Sequence, residues 1–458
     1  MTDARLLELL NEVGLPAPED GAVTIEGQDP VVATAFPVGE AAALALAACG
    51  VASDALWQLR GGRPQRSRVS VRHAAASLCS HSILQLNGGP APPSPAAGNP
   101  LVDYYRCRDG RWVHLHGGLP NLAEGTLKVL GCANEREAVA ATVARWDGPA
   151  LENALAEARQ CGALLRTAEE WAAHPQGQAL AEVPRVEIVK LGDSDPEPLP
   201  AADRPLRGVR VLDLTRILAG PACARTLAEH GADVLHIASP NLPNPPRFIL
   251  DTGHGKLSAH LDLEQPAAVE QLRGLVRETD VFSEGYRSGS LARRGFGPDE
   301  LVKLRPGLIY VAINCYGHTG PWEGRPGWEQ LAQTVTGLTA THSSMDRPVR
   351  IPAPVCDYTT GYLAALGTMV ALWRRAHAGG SYLVRASLCQ TGMWLHRLGP
   401  IFDPAAARGL ESVDDLCTET QTPLGRLKHL RPALEMSETP PRWERPVVPL
   451  GTHPPVWP

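Results

Sequence analysis

Apolar and polar positions change their period along the chain, and those changes divide it. In the second half, Val209-Arg-Val-Leu-Asp-Leu214, Gly231-Ala-Asp-Val-Leu-His-Ile237, Asp280-Val-Phe282 and Leu308-Ile-Tyr-Val-Ala-Ile313 read as strands. Helical patterns lie between or beside them over 222–230, 266–278 and 298–303. Strand–helix–strand alternation at this pace predicts βαβ units with right-handed crossovers and a parallel sheet. Downstream, the small-residue and apolar segment 362–373 reads as a buried helix.

The first half is patterned differently. Residues 4–13 predict a helix, 31–35 a strand, and the Ala-rich stretch 41–59 a helix stopped by Gly61-Gly62-Arg-Pro64. Residues 67–71 alternate like a strand, and 72–86 return to helix. Alternation over 103–117 around Asp109-Gly110 is a hairpin signature. Helical patterns follow to about 170, then a strand over 185–190. The resulting division is a largely helical first part (1–94), a small α+β domain (95–190) and a Pro-rich linker (191–206). A Rossmann-like domain (207–400) and an extended tail packing back on it (401–458) complete the chain.

An echo links the halves. Ala55-Leu-Trp57 leads into Arg68-Val-Ser-Val-Arg-His-Ala-Ala-Ala-Ser-Leu78, and Ala371-Leu-Trp373 leads into Tyr382-Leu-Val-Arg-Ala-Ser-Leu388. A Pro-Val and a carboxylate precede both copies, Glu40 in the first and Asp357 in the second. The similar spacing predicts an internal duplication. The first copy lacks the Thr359-Thr-Gly361 that follows Asp357, so Glu40 reads as structural.

Composition narrows the function classes. With 458 residues, 44% hydrophobic and 20% charged, the chain has the make-up of a soluble protein of two or three domains. A net charge of -6 argues against a nucleic-acid-binding face. Ten scattered cysteines, without a CxxC or Cys/His cluster, give no structural zinc and no other metal site. The start lacks a basic stretch followed by an apolar one, and the most apolar run, 41–48, is too short to span a bilayer. The expected setting is a reducing cytoplasm, with no membrane partner.

The motif search excludes more than it admits. Leu218-Ala-Gly-Pro221 is not GxGxxG, and no P-loop, GxSxG or HExxH occurs. What remains is Ile351-Pro-Ala-Pro-Val-Cys-Asp-Tyr-Thr-Thr-Gly361. Pro354 keeps the approach extended, and Asp357 falls where a helix begins, the usual place for an N-cap.

The blocks Pro205–Thr215, Leu218–Pro221, Gly231–Val234, Asp251–Lys256 with Leu261–Leu263, Ser283–Gly289, Gly317–Pro321, Gly327–Gln330 and Cys356–Gly361 together resemble the family III coenzyme A transferases. These are the CaiB/BaiF superfamily of formyl-CoA transferase, carnitine CoA-transferase and α-methylacyl-CoA racemase. The resemblance implies an α/β fold: a Rossmann-like parallel-sheet domain plus a smaller α+β domain. It implies acyl-CoA and a small carboxylic acid as substrates, with no metal. Asp357 matches the carboxylate that forms a mixed anhydride and then an aspartyl-CoA thioester. Glu329 falls where transferases carry an acidic residue after an aromatic, here Trp328; the racemase branch carries His-Asp there. Lys256 and Arg293 match positions that contact CoA, Ile217 and Leu218 would line its adenine side, and Arg287 is a looser candidate. Backbone N–H groups of Gly98-Asn99-Pro100, or of the helix start at Asp357, would stabilise oxyanions.

Two departures remove charge expected near the phosphates: His236-Ile-Ala-Ser-Pro240 replaces a Lys-x-Glu followed by a basic residue, and Lys256-Leu257 replaces Lys-Arg. The order of parts also departs. Residues 98–118 and 168–190 resemble the family's small domain, which normally follows the Asp-bearing half, and 434–446 with Leu450-Gly-Thr-His453 resemble its C-terminus. The chain thus reads as two fused, trimmed modules. Family members are interlocked dimers, so either a homodimer is the partner or one chain supplies both sets of contacts. A racemase or lyase using Glu329 or Asp357 as base, and a non-catalytic partner protein, are the alternatives.

Overall fold

Seven strands build the central sheet: β1 (Val186–Gly192), β2 (Arg210–Leu214), β3 (Asp233–Ala238), β4 (Lys256–His260), β5 (Val281–Glu284), β6 (Ile309–Asn314) and β7 (Ser381–Ser387). Their spatial order in this computed structural model, which describes residues 2–458 except 95, 402, 404, 405, 408 and 411, is β4-β3-β2-β5-β6-β7-β1. Strands β2 to β7 run parallel, and β1 lies antiparallel on the edge beside β7. This is the doubly wound α/β order that the alternation predicts, and the chain reverses its direction across the sheet between β2 and β5. The fold class read from sequence stands, with smaller sheets packed around the large one.

Four helices position the site: α1 (Val38–Leu59), α2 (Ala219–Glu229), α3 (Glu329–Val335) and α4 (Val355–Ala378). Helix α4 packs against both α1 and α2 in the largest core. A methyl added at Gly361 would come within 2.7 Å of the Ala219 carbonyl oxygen and 2.8 Å of Ala222 Cβ. The glycine of Thr-Thr-Gly therefore lets α4 cross the first turn of α2. Helix α1 is long and apolar enough on its own to cross a bilayer, but here residues 41–49 are buried within the core.

The echo is visible in the backbone. Helices α1 and α4 start from prolines of nearly equal geometry, Pro37 (φ -76°, ψ 64°) and Pro354 (φ -78°, ψ 66°), neither with a side-chain cap of its own. Each helix is preceded by one strand and followed by another that pairs with it in parallel: Val23–Glu26 with Ser67–Ser70, and β6 with β7. No strand forms over 31–35. That segment lies between Pro30 and Pro37, and the chain bends there to bring Asp29 to the start of α1, where its Oδ2 accepts the Glu40 N–H at 2.8 Å.

The predicted hairpin forms, Tyr104–Arg106 against Trp112–Leu115, with Gly110 at φ 82° in its turn. Gly162–Leu164 adds a third strand, and Val113, Leu115, Leu151 and Leu164 close a separate small core. The strand grouped by sequence with this small unit is instead β1 of the large sheet. Its neighbour Arg185 is clamped by Glu8 and Glu12 of the N-terminal helix (Ala4–Val13), which ties the chain start to that edge. Nor is the tail extended throughout, because Cys417–Thr422 and Gly425–Leu430 form a hairpin and Leu434–Met436 pairs with Ser67–Ser70. Residues 437–458 do run without regular structure over the large domain, with the Trp443 indole N–H on the Arg225 carbonyl at 3.1 Å. The tail's positions 402, 404, 405, 408 and 411 lie outside the described residues.

Candidate active site

A cavity of about 410 Å³ brings together Asp357, Glu329, Ile217 and Leu218 of the sequence-predicted site. Ile217 and Leu218 lie between the end of β2 and the start of α2, near the point where the sheet reverses, which is where open α/β sheets bind ligands. The opposite wall comes from the first half of the chain, with Cys79, His81, Ser94, Ala96, His116 and Leu119.

Asp357 is the third residue of α4, not its N-cap. Its carboxylate takes no hydrogen bond from the described residues and lines the cavity. The capping is done from outside by Glu329, the first residue of α3. Glu329 Oε2 accepts the Asp357 N–H at 2.6 Å, and Oε1 accepts the Cys356 N–H at 3.2 Å and a Gln333 Nε2–H at 2.7 Å. Asp29 plays the same part at α1, but there Glu40 itself is committed: Arg5 reaches it at 2.6 Å and the Asp29 N–H at 3.1 Å. The two turns are built alike, and only the second leaves its carboxylate free.

Burial pushes the Asp357 carboxyl well above its ordinary range, and the neighbouring Glu329 charge pushes it further. Burial also raises Glu329, but its hydrogen bonds from Gln333, Asp357 and Cys356 and the Arg350 charge hold it to about 6. Two buried carboxyls this close do not both ionise readily. The hydrogen-bond donors favour the charged form of Glu329, and Asp357 receives none from the described residues.

Gln333 holds this arrangement. It bonds Glu329, donates to the Ala353 carbonyl at 3.1 Å and accepts the Ile351 N–H at 3.0 Å, all buried. Gln333→Leu is expected to reduce stability by about 1–3 kcal/mol through the unsatisfied groups it leaves. Thermal denaturation of the variant beside wild type checks the effect. Sequence carried a signal for this residue in the i,i+4 spacing of Glu329 and Gln333 on one helix face.

The CoA candidates are less gathered. Ile217 has φ 72°, in the left-handed region that a β-branched residue rarely adopts, and such strain concentrates at functional sites. Lys256 is 3% exposed, and its ammonium donates to Asp213 Oδ2 at 2.8 Å and the Pro221 carbonyl at 2.9 Å. It is a buried, paired cation beside the main cavity, not a free one. Arg287 and Arg293 lie in the loop after β5, Arg293 exposed. That loop, through Tyr286, Ser290 and Leu291, lines a second cavity of about 260 Å³ at the ends of β2, β3 and β4, with Leu214, Ile237 and Leu261.

The expected oxyanion donors are elsewhere. The helix-start amides of Cys356 and Asp357 are taken by Glu329, and Gly98 and Asn99 do not line the cavity. Two lining residues escaped the sequence reading. His116 stacks on Trp328 with ring centroids 5.6 Å apart, and burial pushes its imidazole down to about 4. Arg350 is the one Lys or Arg among the described residues lining this cavity. Its position, seven residues before Asp357 in a Pro-flanked segment, was the available signal.

The family profile of CoA-transferase family III matches residues 18–190 and 206–406. The acetyl-coenzyme A transferase nodX of Hypoxylon pulicicidum is 32% identical over 330 residues, 66% of this chain and 55% of its own. An acyl-CoA transferase of Gibberella moniliformis is 32% identical over 371 residues, 71% of this chain and 64% of its own. A succinyl-CoA:glutarate CoA-transferase of Mus musculus is 32% identical over 198 residues, 40% and 45% of the two chains. The chain thus spans 55% and 64% of the length of the first two relatives. Among solved structures, Rv3272 of M. tuberculosis is similar at 30% identity and TM-score 0.41, covering 43% of this chain and 56% of that one.

Proposed function

The chain belongs to the family III CoA-transferases, and from that premise we propose that it moves CoA from an acyl-CoA donor to a carboxylic acid through Asp357. The observation that carries the proposal is a buried carboxylate, unbonded to protein, lining a cavity, on a helix start capped by a second carboxylate.

The ionised Asp357 carboxylate attacks the thioester carbonyl carbon through one oxygen, the C–S bond breaks, and CoA leaves as thiolate, with a mixed anhydride left behind. The thiolate then attacks the aspartyl carbonyl carbon, and the donor acid departs as carboxylate, leaving aspartyl-CoA thioester. An acceptor carboxylate attacks that carbon and expels the thiolate to form a second anhydride. Thiolate attack on the acceptor's acyl carbon yields the new acyl-CoA and regenerates Asp357. No electrons are exchanged with a cofactor, and each hard transfer becomes two easier ones.

In this reading the nucleotide end of CoA takes the 260 Å³ cavity, which Arg294 lines, while Arg287 and Arg293 belong to the same segment after β5 without lining it. The pantetheine arm passes Ile217 and Phe248 toward Asp357. Lys256 serves the sheet and not a phosphate. Because residues 79–119 and 217–357 wall the same cavity, a single chain encloses the site, which supports the fused-module reading and makes a homodimer dispensable for the site's walls.

Incubation with acyl-CoA followed by borohydride is expected to modify only the peptide carrying Asp357, as read by mass spectrometry. No modification with several acyl-CoAs, together with no CoA-dependent thermal shift, sinks the proposal. One observation favours a second reading, proton transfer at the α-carbon of a CoA thioester: His116, whose unprotonated imidazole can accept a proton, shares the cavity with Asp357. Deuterium wash-in from solvent without CoA exchange would select it.

A further inference from the structure

We infer that Ser82 is a second nucleophile of the main cavity, activated by His81, and that through it the protein hydrolyses acyl-CoA thioesters. This activity goes beyond transfer through Asp357 and does not use that carboxylate.

A line of polar contacts runs from α2 to the cavity wall. Arg225 pairs with Asp251 Oδ1 at 3.0 Å, and the Tyr358 hydroxyl donates to Asp251 Oδ2 at 2.7 Å. The Tyr358 hydrogen is thereby committed, so its oxygen is the acceptor for His81 Nδ1–H, 3.3 Å away. That tautomer leaves Nε2 bare, and the Ser82 hydroxyl donates to it at 3.0 Å. The order is that of a nucleophile, a general base and a group that orients the base. Tyr358 and Asp251 are buried behind the wall, whereas His81 and the exposed Ser82 line the cavity. Phe248 meets the His81 ring edge-on with centroids 5.6 Å apart, which holds the imidazole in place from its other side. Two other hydroxyl–histidine pairs lack this arrangement. Ser53–His230 is sealed in the core, and in Thr420–His429 the second ring nitrogen ends on the Leu430 carbonyl.

In the reaction, Ser82 Oγ attacks the thioester carbonyl carbon as its proton passes to His81 Nε2. The C–S bond breaks, sulfur leaves with that proton as CoA thiol, and an acyl-serine ester remains. Water then attacks the ester carbonyl and gives a proton to Nε2, the bond to Ser82 breaks, and Oγ takes the proton back. Acyl-CoA and water become a carboxylic acid and CoA, with no electrons exchanged. Either reduction or hydrolysis of this ester returns plain serine, so borohydride leaves no mark on Ser82.

The first test is a biotin-tagged fluorophosphonate, which is expected to phosphonylate Ser82, as located by peptide mass spectrometry. His81→Gln should slow that labelling roughly 100-fold. No label on Ser82, or equally fast labelling in His81→Gln, overturns the inference. The second test follows thiol release from butyryl-CoA and octanoyl-CoA without an acceptor acid. Ser82→Ala, a change at an exposed position, is expected to lower release by roughly 100-fold. Tyr358→Phe, which removes the group that orients His81, should lower kcat by a smaller factor and leave KM unchanged. Release that survives Ser82→Ala but is lost in Asp357→Asn would mean that water attacks the Asp357 anhydride, and it overturns the inference, as does no release from either thioester. Labelling of Ser82 in Asp357→Asn keeps this outcome separate from the transfer reading, which stands or falls on the borohydride result.

Discussion

Asp357→Asn is expected to lower kcat/KM for CoA transfer by on the order of 10,000-fold or more, the scale of losing a covalent nucleophile. The substitution is isosteric, and the carboxylate it replaces makes no hydrogen bond to the described residues, so the loss will not come from unfolding. Glu40→Gln is the internal control. Glu40 starts α1 as Asp357 starts α4, yet it is tied to Arg5 and the Asp29 N–H. That variant should lose stability and keep its rate. Steady-state rates and thermal denaturation of both variants separate a nucleophile from a carboxylate that only holds a helix start.

The same substitution should change stability with pH in a defined sense. Asp357 and Glu329 both titrate above their ordinary values in the folded chain, Glu329 at about 6. Between pH 4 and those raised values, approximately, the folded chain holds protons that the unfolded chain has released, so this pair's contribution falls as pH rises. Replacing Asp357 by asparagine removes one titrating group and the charge beside Glu329. The apparent Tm of Asp357→Asn is therefore expected to exceed that of wild type at pH 8 and to approach it at pH 4. A gap that widens toward acid would reverse the assignment.

The parallel sheet was legible because buried parallel strands read as near-continuous apolar runs. Strand β4 was not, since Lys256-Leu-Ser-Ala-His260 is polar at alternate positions and its lysine is buried only by virtue of Asp213 on β2. The likeness of the two helix starts was legible too, in the shared Pro-Val-carboxylate and the Leu-Trp that follows. Its meaning was not, because what separates Glu40 from Asp357 is the partner each meets, Arg5 against open cavity. Asp357 as an N-cap failed for a related reason: the residue that caps α4 is Glu329, distant in sequence. Arg350 and His116 went unread because each reaches the cavity only when the small unit and the segment before α4 come together beside Ile217 and Leu218.

Lys256→Met is expected to destabilise the protein by about 3–5 kcal/mol, the scale of leaving one member of a buried ion pair unpaired. Asp213 is fully buried, and although burial pushes its carboxyl up, Lys256 nearby brings it below its ordinary range. With the ammonium gone, the carboxylate must stay charged without a counter-ion or take up a proton. Lys256→Met with Asp213→Leu removes both members and should recover most of the denaturation midpoint. Catalysis should not recover with it. Asp213 Oδ1 also accepts the Thr215 N–H at 3.0 Å and the Thr215 hydroxyl, which fixes the turn that carries Ile217 at φ 72° into the cavity wall. Were Lys256 a CoA phosphate ligand, the single variant would keep its Tm and weaken CoA binding. A lowered Tm that is restored in the double variant, beside a kcat that is not, assigns the lysine to the sheet and its partner to the turn beneath the substrate.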